Sequence, residues 1–196
     1  MAARPGVVGG PRIRRVRARD AEAIAALYRP YVEQSRITFE LTPPDAAEIG
    51  ARIARCGDRF PWLVAEAKDG TLAGYAYATM FRERPAYRFA AETSIYLAPM
   101  AQGHGAGLAL YTLLLDILAA QGFVHAVGAI TLPNPASEAL HLRAGFAPSG
   151  AYRDIGFKLG EWATVGLYQK ALNPLTDDPQ EPLPLSRTPA WRLVTP

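Results

Sequence analysis

The segment from Tyr96 to Tyr111 limits what this chain can become more than any other stretch. An apolar run, Ser94 to Leu97, reads as a strand, and a bend at Pro99 follows. A turn with Gly103, Gly105 and Gly107 then leads into a helix with Leu108, Tyr111, Leu114, Leu115 and Leu118 on one face. The first amides of a helix have no partner inside it, and the helix dipole favours negative charge there. Glycines let a backbone approach a pyrophosphate without a Cβ in the way. The segment is therefore built like a phosphate-binding turn. It is not a Walker loop, because no Gly-Lys-Ser or Gly-Lys-Thr follows, and a dinucleotide fingerprint would need a third glycine where Leu108 stands. What remains is Gln102-x-x-Gly105-x-Gly107 after a strand. A glycine-rich turn with no ligand would read the same way.

At 196 residues, with 49% apolar and 20% charged side chains, the chain can form one domain with a sizeable core plus tails. Its net charge of +3 comes without a basic block, so no nucleic-acid partner is expected. The single cysteine, Cys56, excludes an internal disulfide and suits a reducing compartment. No stretch approaches the roughly 20 apolar residues of a membrane span, and the first residues lack the apolar core of a signal peptide. A cytoplasmic protein with no membrane partner is expected.

Ile13 to Arg17 reads as a first strand. Arg19-Asp20 starts a helix with Ile24, Leu27, Tyr28 and Tyr31 on one face and Asp20 as its cap. Ile37 to Glu40 is a short extended piece. Thr42-Pro43-Pro44-Asp45 starts a second helix, with a capping hydroxyl, that runs to about Cys56. Trp62 to Glu66 and Leu72 to Thr79 are strands joined at Asp69-Gly70, a pair favoured in tight hairpins. Met80 to Arg88 is a loop dense in arginine and aromatic residues, and Glu92 to Leu97 is the next strand. Gly122 closes the central helix. Val124 to Thr131 is a strand, Asn134 opens a further helix, and Ala151 to Ile155 and Trp162 to Leu172 are the last strands. Prolines then interrupt any periodicity. The expected layout is a flexible tail over 1–11, a domain over 12–172 and a proline-rich, extended tail over 173–196. This order of elements gives an α/β or α+β layer protein with a mixed sheet flanked by helices.

The glycine loop resembles the acyl-coenzyme A pyrophosphate loop of the GNAT N-acetyltransferases, and the element order matches that fold. Asn134 to Phe146 resembles the family's helix after the fifth strand, which ends in Gly-Phe. Further blocks are similar to the phosphinothricin and methionine sulfoximine acetyltransferase branch: Thr38-Phe39-Glu40, Phe60 to Glu66, Glu92 to Tyr96, Gln121-Gly122-Phe123, Leu132-Pro133-Asn134 and Gly156 to Trp162. The resemblance runs from about Ile13 to Leu172. It implies acetyl-coenzyme A as cosubstrate and no metal. The coenzyme would be held by Gln102, Gly103, His104, Gly105, Ala106, Gly107 and Leu108, by the splayed backbone of Ile95, Tyr96 and Leu97, and by Asn134 on the pantetheine amide. It also implies a homodimer whose interface lies near the active site. Two departures matter. His104 stands where the family often has Arg or Lys, and a neutral imidazole leaves more of the phosphate binding to backbone amides. His141 stands where many members have a Tyr that protonates the departing thiolate, and the branch just named has His there.

Some of the chemistry follows without the family. An amine at pH 7 is mostly ammonium, so acetylating it requires a proton acceptor. Glu92 sits among apolar residues just before the coenzyme loop, where poor solvation raises a carboxyl pKa and makes a better base. A solvent-facing strand glutamate would look the same, and the resemblance favours the base. His141 would then pair with Glu92 or donate to the thiolate; the plain alternative is a satisfied histidine on a half-buried helix face. A small amino acid's carboxylate and polar head want directional donors, which Arg82, Tyr87 and Arg88 offer, with Phe39 as a wall. Each arginine reads equally as a solvated surface charge. The expected activity is acetyl-coenzyme A-dependent N-acetylation of the α-amine of a small amino acid, by direct attack. Phosphinothricin, methionine sulfoximine and methionine sulfone are the leading acceptors. The alternatives are another small amine as acceptor, or a non-catalytic acyl-coenzyme A-binding regulatory module.

Overall fold

A computed structural model describes residues 11–195, so the expected N-terminal tail lies outside the described residues except for Pro11. Seven strands form one sheet: β1 Arg12–Arg15, β2 Trp62–Glu66, β3 Leu72–Met80, β4 Ala90–Leu97, β5 His125–Leu132, β6 Ala147–Lys158 and β7 Glu161–Ala171. Their order is β1-β2-β3-β4-β5-β7-β6. Every neighbouring pair is antiparallel except β4 and β5, which run parallel. The helices are α1 Ala21–Gln34, α2 Ala46–Cys56, α3 Ala106–Gln121, α4 Pro135–Arg143 and α5 Pro189–Leu193. This is the mixed sheet with flanking helices that the sequence implies.

The parallel ladder is short. It pairs Ala90 with His125, Ala91 with Ala126 and Glu92 with Val127, and then stops. Past that point β4 stays on β3 as far as Gly74–Leu97, and β5 stays on β7 as far as Leu132–Thr164. The two strands therefore part like a fork whose vertex is Glu92.

Side chains alternate across a strand, and the two faces of this sheet differ in size. Trp62, Tyr75, Tyr77 and Tyr96 share one face, with Trp62 stacked on Tyr77 at 4.2 Å. Tyr28 and Tyr31 of α1 meet Tyr96 edge-on at 4.8 and 5.2 Å. The other face carries Ala76, Ala78 and Ala91, all fully buried, and these small residues let the apolar helix α3 lie close. Leu110, Leu114, Ile117 and Leu118 of α3 are fully buried against them.

Two expected caps are different. Asp45, not Thr42, caps α2, accepting the Glu48 amide at 2.8 Å. Asp20 makes no cap bond to α1. Its carboxylate is buried and accepts both Arg14 Nη1 and Nη2, at 2.7 and 2.9 Å, plus the Arg17 amide at 2.7 Å. Arg14 Nε donates to Glu66 at 2.6 Å. Two other readings hold: Gly122 ends α3 at φ +96°, and Asn134 caps α4 by accepting the Ser137 amide at 3.2 Å.

The proline-rich segment after Asn173 is extended through its first half but is docked on the domain. Leu183 and Leu185 amides donate to the Gln121 and Asp58 carbonyls, both at 2.6 Å, and the Arg15 amide donates to Thr195 O at 2.9 Å. Leu185, Thr188 and Val194 are buried, and the Arg15 guanidinium lies 4.6 Å from the Trp191 ring centre. Isolated prolines broke the helical periodicity, while the apolar residues between them supplied the anchors.

The Arg14–Asp20 pair gives a test. Without Asp20 the buried Arg14 keeps only Glu66, which is more exposed, so Asp20→Ala should cost about 3 kcal/mol, the low end for a broken buried pair, in urea denaturation at neutral pH. Burial alone would raise the Asp20 pKa, but the Arg14 and Arg17 bonds outweigh it and hold the carboxyl below its ordinary value. Its contribution is therefore present at neutral pH and is lost as pH falls through that depressed value. The difference between wild type and Asp20→Ala should shrink in strong acid and stay constant from about pH 5 upward.

Candidate active site

The fork opens a cleft of about 340 Å³. One wall is Ile95, Tyr96 and Leu97 of β4. The opposite wall is Asn134, Ser137, Leu140 and Arg143, from the start of α4 and along it. Gln102, Gly103, Gly105, Gly107 and Leu108 form the end. Tyr31 reaches in from α1, its hydroxyl donating to Leu97 O at 2.6 Å and accepting from Gln102 Nε2 at 3.3 Å.

The glycine turn suits an anion. Gly103 and Gly105 have φ of +78° and +81°, which L side chains rarely adopt, and a Cβ on either would stand in open space. No side chain caps α3, so its first amides are left without a side-chain partner, beside a turn with open space at Gly103 and Gly105. His104 is exposed in the turn and Ala106 is buried at the first helical position; neither lines the cleft. Arg143 does line it, and is the cation on the α4 wall.

Glu92 is half-buried at the fork vertex. Burial raises its carboxyl pKa above the ordinary value, and the nearby Arg82 charge opposes part of that rise. Arg82 Nη2 donates to the Tyr152 hydroxyl of β6 at 3.4 Å, and its guanidinium lies 4.7 Å from the Phe81 ring centre. Tyr87 meets the same Phe81 ring edge-on at 5.5 Å. Phe39 lies directly against Gly156 of β6, where a Cβ would come within 2.2 Å of its ring. Arg82 and Glu92 thus come together, with Tyr87 linked through Phe81. Arg88 does not join them. It pairs with Glu181 of the C-terminal segment and stacks on Phe89 at 4.3 Å. The sequence put Arg88 beside Arg82 by proximity alone, but the short 3-10 turn at Pro85–Tyr87 separates them.

Of the placements open to His141, the structure has the satisfied, buried histidine and not a partner of Glu92. Thr93, next to Glu92 on β4, hydrogen-bonds Tyr111 of α3, and Tyr111 hydrogen-bonds His141 Nε2. Neighbouring strand residues point to opposite faces, so Glu92 lies on the aromatic face and His141 on the α3 face. The imidazole is buried, and its Nδ1 is 2.8 Å from Ser137 O. It neither pairs with Glu92 nor lines the cleft. Helical periodicity put His141 on a partly buried face but could not tell which side of the sheet that face meets.

Tyr152, Ser137, Tyr31 and Arg143 were not singled out from the sequence. Ser137 and Arg143 lie inside the Asn134 to Phe146 block and Tyr152 in the expected strand Ala151 to Ile155, but nothing in the spacing joins β6 to the loop after β3. Tyr31 and Tyr111 read only as apolar positions of their helices.

Among known proteins, the acetyltransferase (GNAT) domain matches residues 13–164 of this chain. A phosphinothricin N-acetyltransferase of Alcaligenes faecalis is 43% identical over 168 residues, covering 82% of each chain. An L-methionine sulfoximine/L-methionine sulfone acetyltransferase of Pseudomonas aeruginosa is 33% identical over 161 residues, covering 82% of this chain and 94% of that one. The crystal structure of a GNAT phosphinothricin acetyltransferase from Sinorhizobium meliloti in complex with AcCoA superposes with a TM-score of 0.84 at 38% identity, covering 88% of this chain and 94% of that one.

Proposed function

The chain belongs to the acetyltransferase (GNAT) family and is an acetyl-coenzyme A-dependent N-acetyltransferase of the phosphinothricin-acetyltransferase type, and we propose that its acceptor is the α-amine of a small amino acid with a compact polar head. Phosphinothricin, methionine sulfoximine and methionine sulfone are the acceptors named for its relatives. The reading rests on one observation above the rest: a half-buried glutamate with a raised pKa, accompanied by an arginine, at the vertex from which the cleft opens.

Acetyl-coenzyme A supplies an activated thioester carbonyl. The amides at the start of α3 and the Arg143 charge hold its phosphates, and Asn134 and the free edge of Ile95–Leu97 hold its pantetheine and acetyl end. Arg82, with Tyr152 behind it, takes the carboxylate or polar head of the amino acid. Glu92 accepts a proton from the ammonium, directly or through water, and so exposes the lone pair that forms the amide. One C–N bond forms and the thioester C–S bond breaks. Of the two protons the ammonium gives up, one goes to Glu92 and then to solvent, and the other ends on the sulfur. The site needs no acyl-enzyme: Cys56, the last residue of α2, is buried against Trp62 and Ala78, and burial raises its thiol pKa.

The chain is also proposed to work as a homodimer. β6 is an edge strand that is exposed over most of its length, with Ile155 and Phe157 open to solvent, Leu159 exposed in the turn that follows and Trp162 across the hairpin. Such an edge invites pairing unless it is covered, and Tyr152 of the same strand touches Arg82. A dimer through this hairpin would close the acceptor site. Sedimentation should give a dimer for wild type and a monomer for Trp162→Glu; a monomeric wild type at micromolar concentration would remove the idea.

Two kinetic tests follow from the acceptor site. Glu92→Gln should lower kcat by about 10²–10⁴ at neutral pH. Because burial raises the Glu92 pKa, wild-type kcat should rise as pH passes upward through that value, and the variant should lack this limb. The gap should narrow toward about pH 9.5, where the free amine needs no base. Near-normal kcat in Glu92→Gln at neutral pH would sink the assignment. Arg82→Ala should raise the amino-acid KM by the equivalent of about 1.5–3 kcal/mol and leave the acetyl-coenzyme A KM in place. It should also move the Glu92 limb to higher pH, since the opposing charge is gone. An unchanged amino-acid KM would put the head-group site elsewhere.

A further inference from the structure

The buried string on the α3 face has no part in the mechanism just given, yet it sits at the fork vertex. Thr93 Oγ1 lies 2.7 Å from the Tyr111 hydroxyl and 3.1 Å from Val127 O, and Tyr111 lies 3.0 Å from His141 Nε2. All three side chains are buried. The direction of the bonds can be deduced. Ser137 O only accepts, so the His141 proton is on Nδ1, and Nε2 is left with a lone pair. The Tyr111 hydroxyl must then donate to Nε2. That leaves the Tyr111 oxygen as an acceptor for Thr93, whose one proton is shared with Val127 O. Burial lowers the His141 pKa, against the opposing effect of the Ser137 bond, which agrees with a neutral ring.

The ends of this string matter. Val127 is the β5 residue at the last rung of the ladder, opposite Glu92. Ser137 lines the cleft from α4. The string therefore ties β4, β5, α3 and α4 together where the strands begin to part. The ring positions are fixed as well. Phe146 stacks parallel to Tyr111 at 5.5 Å and meets His141 edge-on at 5.0 Å, and Tyr168 lies 5.9 Å from His141 with its hydroxyl on Glu138. Close approach to β5 requires Gly128, since a Cβ there would stand 2.6 Å from His141 Nε2.

We infer that Tyr111, held by His141 and Thr93, is a positioning residue that sets how the β4–β5 fork opens, and with it where Glu92 stands relative to the thioester. His141 is an acceptor in this string and not the proton donor to the thiolate. The inference rests on the acetyltransferase reading for its kinetic consequence, but not for the hydrogen-bond string itself.

Kinetics and spectroscopy together test it. Tyr111→Phe keeps the ring and loses the hydroxyl; it should lower kcat about tenfold or more, as loss of a buried hydrogen bond can, with the acetyl-coenzyme A KM within about threefold. His141→Gln supplies another neutral acceptor and should retain most of the activity, with the wild-type pH limbs, while His141→Leu should resemble Tyr111→Phe. The double variant Tyr111→Phe/His141→Leu should be no worse than either single change. Nitrogen NMR of the imidazoles, assigned by loss of the His141 signal in His141→Gln, should show His141 as the Nδ1–H tautomer in wild type and a shifted Nε2 signal in Tyr111→Phe. A wild-type kcat in Tyr111→Phe, with His141→Gln inactive and missing a pH limb, would make His141 the proton donor and overturn the inference. If Tyr111→Phe does not fold, Thr93→Val and His141→Gln carry the same comparison. A wild type that acetylates no amine would defeat the functional reading alone, because the NMR result stands or falls without turnover.

Discussion

Three rungs of parallel pairing between β4 and β5 govern the rest of this molecule. A sheet whose central strands separate leaves backbone donors and acceptors open, which is costly unless something polar occupies the gap. Here each strand keeps its outer partner to the end, β4 on β3 and β5 on β7, so the gap is held open by rigid walls. The glycine turn and the start of α3 line the gap, and Glu92 stands at the last rung before the strands part. The turn proposed to hold the coenzyme and the carboxylate proposed as base are thus placed by the two strands that part at Glu92.

The faces of the sheet divide the work. The aromatic face runs from Trp62 through Tyr77 and Tyr75 to Tyr96, and ends at Tyr31, whose hydroxyl touches the cleft wall at Leu97. The alanine face is flat enough to take a helix that is apolar almost all round, as a helix buried within a core should be. Glu92 belongs to the first face and Thr93 to the second. One step along the chain thus separates the carboxylate proposed for proton transfer from the buried Thr93–Tyr111–His141 string.

Much of this could be read from residues alone. The strand, glycine turn and central helix were legible because local rules fix them: alternating and helical periodicity, positive φ at glycine, the cap at Asn134. β2 falls on Trp62–Glu66 as its apolar run suggests. What could not be read was pairing over distance. Asp20 looked like a cap because it precedes a helix; its partner Arg14 is six residues back and Glu66 completes the cluster from β2. Arg88 looked like a neighbour of Arg82, and only the fold shows Glu181 claiming it. His141 carried the right identity in the right motif, but its side of the sheet depends on how α4 packs, which no local pattern encodes.

The docked C-terminal segment bears on the order in which the chain can fold. The amide of Arg15 meets the carbonyl of Thr195, and Leu183 meets Gln121. The outer edge of β1 is thus met, at Arg15, by a residue 180 positions later in the chain. Contacts this far apart in sequence form slowly, because the loop they close must be ordered first. Local strand pairs can therefore form while that edge is still bare. An unpaired strand edge is a template for another chain. Until residues 183–195 dock, the outer edge of β1 is open to another chain, so early aggregation of this protein should depend on how fast that one segment finds its place.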